Sequence, residues 1–499
     1  MKGDFTIDRF DPANGFNRLL KQQGRVELDS DWNEQAAIQQ HLLRGLIADL
    51  LGPAAGPADN CGFGLPDPLP EAPEPGPGDF VIGAGRYYVD GLVIENAAPL
   101  LYSAQRWADP GGKLESGLSY LAYLDVWERH VTWLDDPEIL EPALGGPDTC
   151  TRVQTIWQVR TLKADTTQGN DGPSAADLAA MKKEIDEAQA RLDEIDKQTA
   201  AGTGDAAALK AERTKLANLL KRLQAKLADA EAAAGPADEA EPHARCNALL
   251  QPLRDWRSGT LAARITPSEP SDSPCVLPPE SRYRGLENQL YRIEVHAAGD
   301  TADPNAVPQF KWSRNNGAVA TLAHEVDAKV VTVTNARGFT AGCWAELLTE
   351  AQEAQGQGGF LAKVVAVEGN RITFDQAPGV LPPAMARPRI RRWDAAAAPI
   401  VPGDGDQGWI AIEDGVEVRF SAGAYRAGDY WLIPARVATG GIIWPSTPDG
   451  APLDRAPKGI VHRYAPLFLL TATDAKPFAT LEEDCRCRIA RLPCVQDAG

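Results

Sequence analysis

Three cysteines near the C-terminus have the spacing that comes closest to a metal site. Cys485, Cys487 and Cys494 follow the pattern C-x-C-x6-C. Structural zinc needs four ligands, usually in two close pairs, and the nearest histidine is His462. We therefore predict no metal and expect free thiols in a C-terminal tail, with a disulfide between two of the three as the alternative. The other cysteines are dispersed and are interpreted as small apolar side chains: Cys61, Cys150, Cys246, Cys275 and Cys343.

A second candidate for chemistry is a group of ionisable residues in two neighbouring predicted strands. Arg292, Glu294 and His296 alternate on one strand face, and Lys311 and Arg314 follow in the next strand and turn. Such a group could transfer protons. A solvated strand face with ion pairs across strands needs only the two-residue period of a strand, and we favour that interpretation.

A third candidate is the carboxylate pair Asp125 and Glu128 in a long apolar strand. A retaining glycosidase needs two carboxyl groups ~5 Å apart, whereas an arginine on the same or a neighbouring strand would give a structural ion pair, which we favour. The chain contains no G-x-S-x-G, H-E-x-x-H or P-loop motif. We therefore predict no catalytic residue and no cofactor, and expect that the protein is not an enzyme.

Tryptophan is abundant, with twelve residues in the chain. Exposed tryptophans could form a sugar-binding platform, whereas buried ones fill sheet cores or subunit contacts. We favour burial for those on predicted strands, which are Trp127, Trp133, Trp157, Trp312 and Trp431.

The overall composition narrows the classes of partner. The 499 residues carry 50 Lys plus Arg and 69 Asp plus Glu, a formal net charge of −19. This excess repels phosphate backbones, so we expect no nucleic acid. No stretch approaches the ~20 apolar residues of a membrane helix. The N-terminus has no apolar signal core, so we expect no signal peptide and synthesis in the cytoplasm.

Residues 1–51 are predicted to form an N-terminal helical arm. Apolar residues from Phe16 to Leu20 have helical spacing, and a longer amphipathic helix follows. Its apolar stripe consists of Ile38, Leu42, Leu43, Leu46, Ile47 and Leu50. Residues 52–78 are rich in proline and glycine and are predicted to be a linker.

The rest of the chain has a pattern of short strands, which predicts a mainly β, multidomain protein with β-sandwich or barrel-like units. Asp90-Gly91 and Asn316-Gly317 are expected hairpin turns. No alternation of strands and helices indicates a nucleotide-binding fold. The predicted units are a β domain over 79–328, a small β barrel over 329–392, a C-terminal β domain over 393–484 and a cysteine-containing tail over 485–499.

Residues 175–234 interrupt the first β domain. Their heptad-like leucine spacing predicts two antiparallel helices that form a hairpin, joined at Gly202–Asp205. The two arms carry opposite net charge, which favours their pairing.

Several motifs together resemble a family of uncharacterised domains found with phage-tail-like contractile injection systems. They are Met1-Lys2-Gly3-Asp4-Phe5, residues 22–35 with Asp31-Trp32-Asn33-Glu34, Asp125-Val126-Trp127-Glu128-Arg129, residues 283–292, residues 310–314 and Asp429-Tyr430-Trp431-Leu432. The resemblance implies a structural component of the particle, at the baseplate, as a cage or shell subunit. It supplies no catalytic residue.

An apolar stripe on a helix is normally buried against the rest of the chain or against a partner. Stripes that the chain itself leaves exposed mark partner surfaces. We therefore predict contacts with other particle subunits, baseplate or sheath-proximal proteins, in a symmetric homo-oligomer. The predicted interface residues are Phe5, Phe16, Trp32, Ile38, Leu42 and Leu46 on the arm and Leu192, Leu216 and Leu223 on the hairpin. The last three could instead pack only within the hairpin. The alternatives are a receptor- or glycan-binding tail protein and a polysaccharide-degrading enzyme.

Overall fold

The computed structural model describes the chain except residues 69–72, 108–111, 147, 165–174, 201–212, 218, 225, 228–242, 267–281, 381–382, 384–385 and 491–499. Its described residues are mainly β, and they form several sheets and a barrel, as the sequence predicts. The helices are α1 (Asp29–Leu51), α2 (Ala175–Ala200), α3 (Ala244–Arg254) and α4 (Glu350–Ala354).

The strands are numbered in chain order. The first half contains β1 (Ala54–Pro57), β2 (Val81–Ile82), β3 (Gly85–Val89), β4 (Leu92–Asn96), β5 (Leu100–Leu101), β6 (Ser119–Val131), β7 (Arg152–Lys163), β8 (Leu261–Ile265), β9 (Gln289–Ala297), β10 (Gly299–Asp300), β11 (Gln309–Ser313), β12 (Ala320–Asp327) and β13 (Val330–Val333). The second half contains β14 (Trp344–Leu348), β15 (Phe360–Glu368), β16 (Arg371–Phe374), β17 (Arg389–Trp393), β18 (Ala398–Pro399), β19 (Ile410–Glu413), β20 (Val416–Phe420), β21 (Ala424–Tyr425), β22 (Tyr430–Arg436), β23 (Gly441–Ile442), β24 (Arg463–Ala472), β25 (Ala479–Asp484) and β26 (Arg488–Ile489).

A first β-sandwich combines strands from the beginning and the end of the chain. Its sheets have the orders β26-β1-β3-β4 and β25-β24-β6-β7. The Asp90-Gly91 turn between β3 and β4 has positive φ at both residues, 45° and 75°, as a tight hairpin turn requires. The alternating apolar residues of the two sheets face each other, and the core includes Tyr87, Val89, Ile94, Tyr120, Leu124, Val126, Leu467 and Leu470.

A second β-sandwich lies in the middle of the sequence. Its sheets have the orders β18-β11-β9-β22-β23 and β19-β20-β8. The core between them is rich in aromatic residues and includes Tyr291, Ile293, Phe310, Val418, Phe420, Trp431 and Ile433.

A closed barrel is inserted between β11 and β18 of the second sandwich. Its six strands follow the order β12-β13-β16-β15-β14-β17. Every second residue points into the barrel, which is filled by Val331, Val333, Ala345, Leu347, Ala362, Val364, Ile372, Phe374 and Ile390. We call the two sandwiches and the barrel together the body.

The helical hairpin is present in the described residues as α2 and a second arm, which is helical at 213–217 and 219–224. Arg213 Nε lies 2.6 Å from Asp196 Oδ1 and joins the two arms. The predicted turn at Gly202–Asp205 and the end of the hairpin at 228–234 lie outside the described residues. α3 follows the hairpin and packs its Leu250 against Leu121 and Leu469 of the first sandwich.

Several predicted boundaries differ from the sheets. One sandwich combines β8, β9 and β11 with β18, β19, β20, β22 and β23, although the predicted domains divide these strands between 79–328 and 393–484. The barrel starts at Ala320, before residue 329. The supposed linker 52–78 contributes β1, and the supposed tail begins with β26, which pairs with it in parallel. These pairings join distant parts of the chain, which local patterns do not reveal.

Two local predictions were wrong. Residues 16–20 are not helical, and the chain runs there without regular structure. The Asn316-Gly317 turn has the expected positive φ values of 52° and 62°, but β11 and β12 on either side belong to different sheets. The turn is therefore a junction between the second sandwich and the barrel, not a hairpin.

Candidate interaction surface and the charged cluster behind it

The most unusual surface of the protein is the outer side of the arm. Large apolar side chains are exposed there, although α1 packs on the body. Leu43 is 57% exposed, Leu46 56% and Leu50 72%. We call the exposed apolar residues of the arm the arm face; they are Phe16, Leu20, Val26, Trp32, Leu42, Leu43, Leu46 and Leu50. Leu43, Leu46 and Leu50 follow one another along one side of α1 and form an exposed apolar stripe of the kind that marks a partner surface.

The side of α1 that faces the body is less apolar than the side that faces out. Ser30, Glu34 and Ile38 are its buried residues. The Ile38 side chain is 1% exposed, so this predicted interface residue is used within the chain. With 3.6 residues per turn, the leucines at 43, 46 and 50 fall on the other side of the helix. The helix therefore presents its leucines outwards.

Three contacts anchor α1 on its inner side. Arg44 donates hydrogen bonds to both carboxylate oxygens of Glu128, at 3.0 and 2.7 Å. A Cβ on Gly91 would lie 2.3 Å from the carbonyl oxygen of Arg44, so the β3–β4 turn touches the helix backbone. The rings of Phe10 and His41 are 5.6 Å apart. The helix α1, with the leucines that it exposes, is thus held in a fixed orientation on the body.

The first residues of the arm are wedged into the body. Asn316 donates hydrogen bonds to the carbonyl oxygens of Met1 and Gly3, at 3.1 and 3.0 Å. The Phe5 ring packs edge-on against the His130 ring, with centroids 5.8 Å apart. Phe5, a predicted interface residue, is half-buried by this contact. Phe5 therefore packs against a residue of its own chain.

Behind the arm lies a buried network of ionised side chains, which we call the charged cluster. It joins the start of the chain, both sandwiches, the barrel and α4. Its closest pairs are Lys311–Glu346 at 2.6 Å, Arg292–Glu294 at 2.6 Å, Arg129–Glu350 at 2.7 Å, Arg389–Asp135 at 2.7 Å, Arg391–Glu353 at 2.5 Å and Lys2–Glu294 at 3.2 Å.

Glu346 has the most complete set of partners in the cluster. Both of its oxygens accept hydrogen bonds from Lys311 Nζ, and one accepts a bond from Trp393 Nε1 at 2.8 Å. The other oxygen accepts a bond from the backbone N–H of Gly359 at 2.8 Å. The side chains of Glu346 and Lys311 are 1% and 2% exposed. This pair ties the second sandwich to the barrel.

Three carboxylates of the cluster, those of Glu294, Glu346 and Glu353, have a lowered pKa and stay ionised. Burial by itself would raise the pKa of Glu294, but the charges of Lys2, Arg292 and Lys311 outweigh burial and lower the pKa to about 2. Burial likewise opposes ionisation of Glu346 and Glu353, and nearby cations, chiefly Lys311 for the first, nonetheless lower the pKa of both. Each carboxylate therefore acts as a fixed negative charge at neutral pH.

These pKa values limit what the cluster can do chemically. General acid–base catalysis needs a group whose pKa lies near the working pH. Arginine does not release its proton in proteins, and the named carboxylates do not take one up. Burial lowers the pKa of His130 to about 3, so this ring is neutral. The named carboxylates and arginines therefore act as fixed charges that pair across the units of the fold. A cavity of about 170 Å³ beside it is lined by Lys2, Arg129, His130 and Tyr430, among others.

Most of the predicted acid–base group lies in or beside this cluster. Arg292, Glu294 and Lys311 are buried, so the expected solvated strand face was wrong for these three. His296 Nδ1 is 3.4 Å from Glu346. Arg314 lies apart from them and pairs with Glu413 at 2.6 Å.

The predicted carboxylate pair is divided between two structural roles. Asp125 is buried, and its oxygens lie 2.6 Å from His462 Nδ1 and 3.0 Å from Arg160 Nε on the neighbouring strand β7. Glu128 binds Arg44 of the arm. Asp125 thus has the neighbouring-strand arginine that the structural interpretation expects, whereas the partner of Glu128 comes from the helix α1.

The hairpin residues predicted as an interface are less exposed than the arm face. Leu192, Leu216 and Leu223 are half-buried, and Ile195 is buried. This pattern fits packing between the two arms of the hairpin.

The cysteines differ from the prediction. Cys246 of α3 and Cys485 after β25 form a disulfide across 239 residues of sequence, with their Cα atoms 6.3 Å apart. The sequence gives no local signal for a pair so far apart. Cys487 is free and exposed, and Cys275 and Cys494 lie outside the described residues.

Most of the strand tryptophans are buried. Trp127 and Trp431 are 0% and 1% exposed, and Trp312 is 9% exposed. Trp133 and Trp157 are half-buried. Trp127, Trp312 and Trp431 belong to hydrophobic cores and Trp157 packs against one, whereas Trp133 lies in a turn after β6.

Sequence reasoning missed much of the cluster. Glu346, Glu350 and Glu353 carried no recognisable motif. Arg389 and Arg391 did give a signal, because they alternate with the apolar Ile390 on β17. Ile390 fills the barrel, and the two arginines point the other way, into the buried cluster.

The fold and this surface define the chain as a multidomain β protein with an outward-facing apolar arm. The chain belongs to a family of unknown function, DUF6519, which matches residues 1–498. No curated protein matches it in sequence. A crystal structure of TssK is 9% identical, with 84% of this chain and 99% of that chain covered and a TM-score of 0.16. That TM-score is too low to carry an argument. In the described part of the chain, no helix is long and apolar enough to cross a membrane.

Proposed function

We propose that this protein is a non-enzymatic structural subunit of a phage-tail-like contractile injection particle. In this proposal it belongs to a cage or shell at the baseplate and docks on its neighbours through the arm face. The observation that carries the proposal is the orientation of α1, which is anchored on its inner side and presents leucines to the outside. The sequence resemblance to a family found with such particles supports it.

The charged cluster supports a mechanical role. Lys2, Arg129, Lys311 and Arg391 each pair with a carboxylate on a different part of the fold. Buried ion pairs of this kind are costly to break on one side. Their joint effect is to hold the arm and the three β units in one arrangement, which a subunit under load in a shell requires.

The proposal is tested by charging the arm face. Leu43→Glu/Leu46→Glu places two carboxylates on exposed positions, so the body should fold as before. We expect the variant to be lost from purified particles. The matched control is Leu144→Glu/Leu286→Glu, since these leucines are 66% and 97% exposed elsewhere on the surface. Normal incorporation of the arm variant would contradict the docking role.

Removal of residues 1–51 is a poorer test than the point variants. It would also remove Lys2, which lies 3.2 Å from Glu294, and the backbone that binds Asn316. The truncation would therefore leave a buried carboxylate with fewer partners, and its loss from particles could reflect damage to the body.

A further inference from the structure

Six exposed positions of α1 have the repeat of a coiled coil. They are separated by four, three, four, three and four residues, and we call them the seam: Trp32, Ala36, Gln39, Leu43, Leu46 and Leu50. Helices pair along such a repeat because its average period of 3.5 residues keeps one stripe facing the partner. The seam spans about 27 Å at 1.5 Å per residue.

We propose that the seam pairs with the seam of a second copy of this chain, so that two α1 helices form a parallel coiled coil. This inference rests on the proposed function and names the partner of its docking surface. It goes beyond a general apolar patch, because a seam requires a helical partner with the same spacing.

Charge favours a second copy as that partner. The chain has a net charge of −19, so two copies repel each other overall, and a contact that carries few charges adds least to this repulsion. The positions that flank the seam are nearly free of charge. They are Asn33, Gln35, Gln40, Leu42, Ile47 and Asp49, and only the last has an acidic or basic side chain. Two seams can thus approach without opposed like charges along most of their length.

The hairpin is a less suitable partner within the described residues. Its apolar positions at 188 and 195 are already buried, and Asp196 is paired with Arg213 across the two arms. α1 therefore remains the described helix whose coiled-coil stripe is exposed along its length.

Gln39 favours parallel pairing. In a parallel, in-register pair the two Gln39 side chains meet, and each amide can donate to and accept from the other. An antiparallel pair centred on the same seam would place Gln39 against Leu43. The amide would then be buried without a partner, which is unfavourable. A polar residue inside a coiled-coil seam commonly selects register in this way.

The first test measures the mass of the purified full chain by light scattering after size exclusion. We expect a mass that rises from one copy towards a defined oligomer as concentration increases. Leu43→Glu/Leu46→Glu should remain a monomer, whereas Leu144→Glu/Leu286→Glu should behave as wild type. A wild-type chain that stays monomeric at every concentration would overturn the inference.

The second test examines orientation. Gln39→Cys is made in a chain that also carries Cys150→Ser and Cys487→Ser, because those two thiols are exposed. Oxidation should join two copies through position 39. Cross-links that form only between a Gln39→Cys chain and a Leu43→Cys chain would show antiparallel pairing and overturn the proposal.

The outcomes separate this inference from the proposed function. A monomeric wild-type chain, combined with loss of the arm variant from particles, would refute self-pairing but support docking on another subunit. A self-associating chain whose arm variant is monomeric yet enters particles normally would support self-pairing and refute docking through the arm.

Discussion

Replacement of Lys311 by methionine tests whether the charged cluster clamps the body. The side chain fits in length, but the ammonium group is lost. Glu346 then keeps its bonds from Trp393 and Gly359 but loses the cation whose Nζ lies 2.6 Å away. Removal of one partner from a buried ion pair typically costs ~3–5 kcal/mol. Because Glu346 keeps two hydrogen bonds, we expect the free energy of unfolding to fall by about 3 kcal/mol, the lower end of this range.

The assay is urea unfolding followed by circular dichroism, with hydrogen exchange and mass spectrometry to locate the effect. We expect faster exchange in β11, β14 and β17, the strands that the Lys311–Glu346 pair and Trp393 connect. The matched control is Arg86→Met. Arg86 pairs with Glu95 at 3.2 Å, but both side chains are largely exposed, so no measurable change is expected.

A double variant separates the charge effect from packing. In Lys311→Met/Glu346→Gln both charges of the pair are removed, and the glutamine oxygen can still accept one hydrogen bond. We expect the free energy of unfolding of the double variant to be about 2 kcal/mol higher than that of Lys311→Met. This coupling energy lies in the range for two residues in direct contact. A loss of less than about 1 kcal/mol in the free energy of unfolding of Lys311→Met, as is typical of exposed ion pairs, would refute the stabilising role of the charged cluster.

Three further predictions concern the same framework. Glu294 has a pKa of about 2 in the folded protein against 4.5 for the free side chain. Its ionisation therefore adds about 3 kcal/mol to the free energy of unfolding above pH 4.5, and this contribution is lost as the pH falls through about 2. A plot of stability against pH for Glu294→Gln should lack this part of the acid dependence. Reduction of Cys246–Cys485, which spans 239 residues, should lower the free energy of unfolding by up to about 5 kcal/mol, and equal urea midpoints with and without reductant would argue against this. Arg44→Met should speed hydrogen exchange in α1 while the body stays protected, because Arg44 joins the helix to Glu128; unchanged exchange in α1 would count against the anchor.

Local patterns in the sequence predicted the parts of the fold that depend on neighbours in the chain. The run from Tyr120 to Leu134, which is rich in Tyr, Val and Trp, predicted the strand β6, although β6 ends at Val131. Asp90-Gly91 predicted the β3–β4 hairpin, because turn geometry is a local property. The helical period predicted α1. The same period suggested a helix at residues 16–20, but that segment has too few apolar contacts with the body to stabilise one.

Long-range pairing could not be read from the same patterns. β24 returns from the end of the chain to pair with β6, and β26 pairs with β1. The charged cluster assembles from six separate segments of the chain, so Glu346 and Glu353 have no motif of their own. For the arm face, the sequence could not predict which side of α1 faces the body. The sequence identified the apolar stripe of α1, but only the structure shows that Ile38 faces inwards while Leu43 and Leu46 face out.

The central claim is that this protein acts by being held beside other subunits. Quantitative mass spectrometry of purified contractile particles tests it most directly. We expect the wild-type chain to be present in a fixed ratio to the baseplate proteins and Leu43→Glu/Leu46→Glu to be absent. Particles that contain no copy of the wild-type chain, while the same cells hold it as a free monomer, would contradict the account.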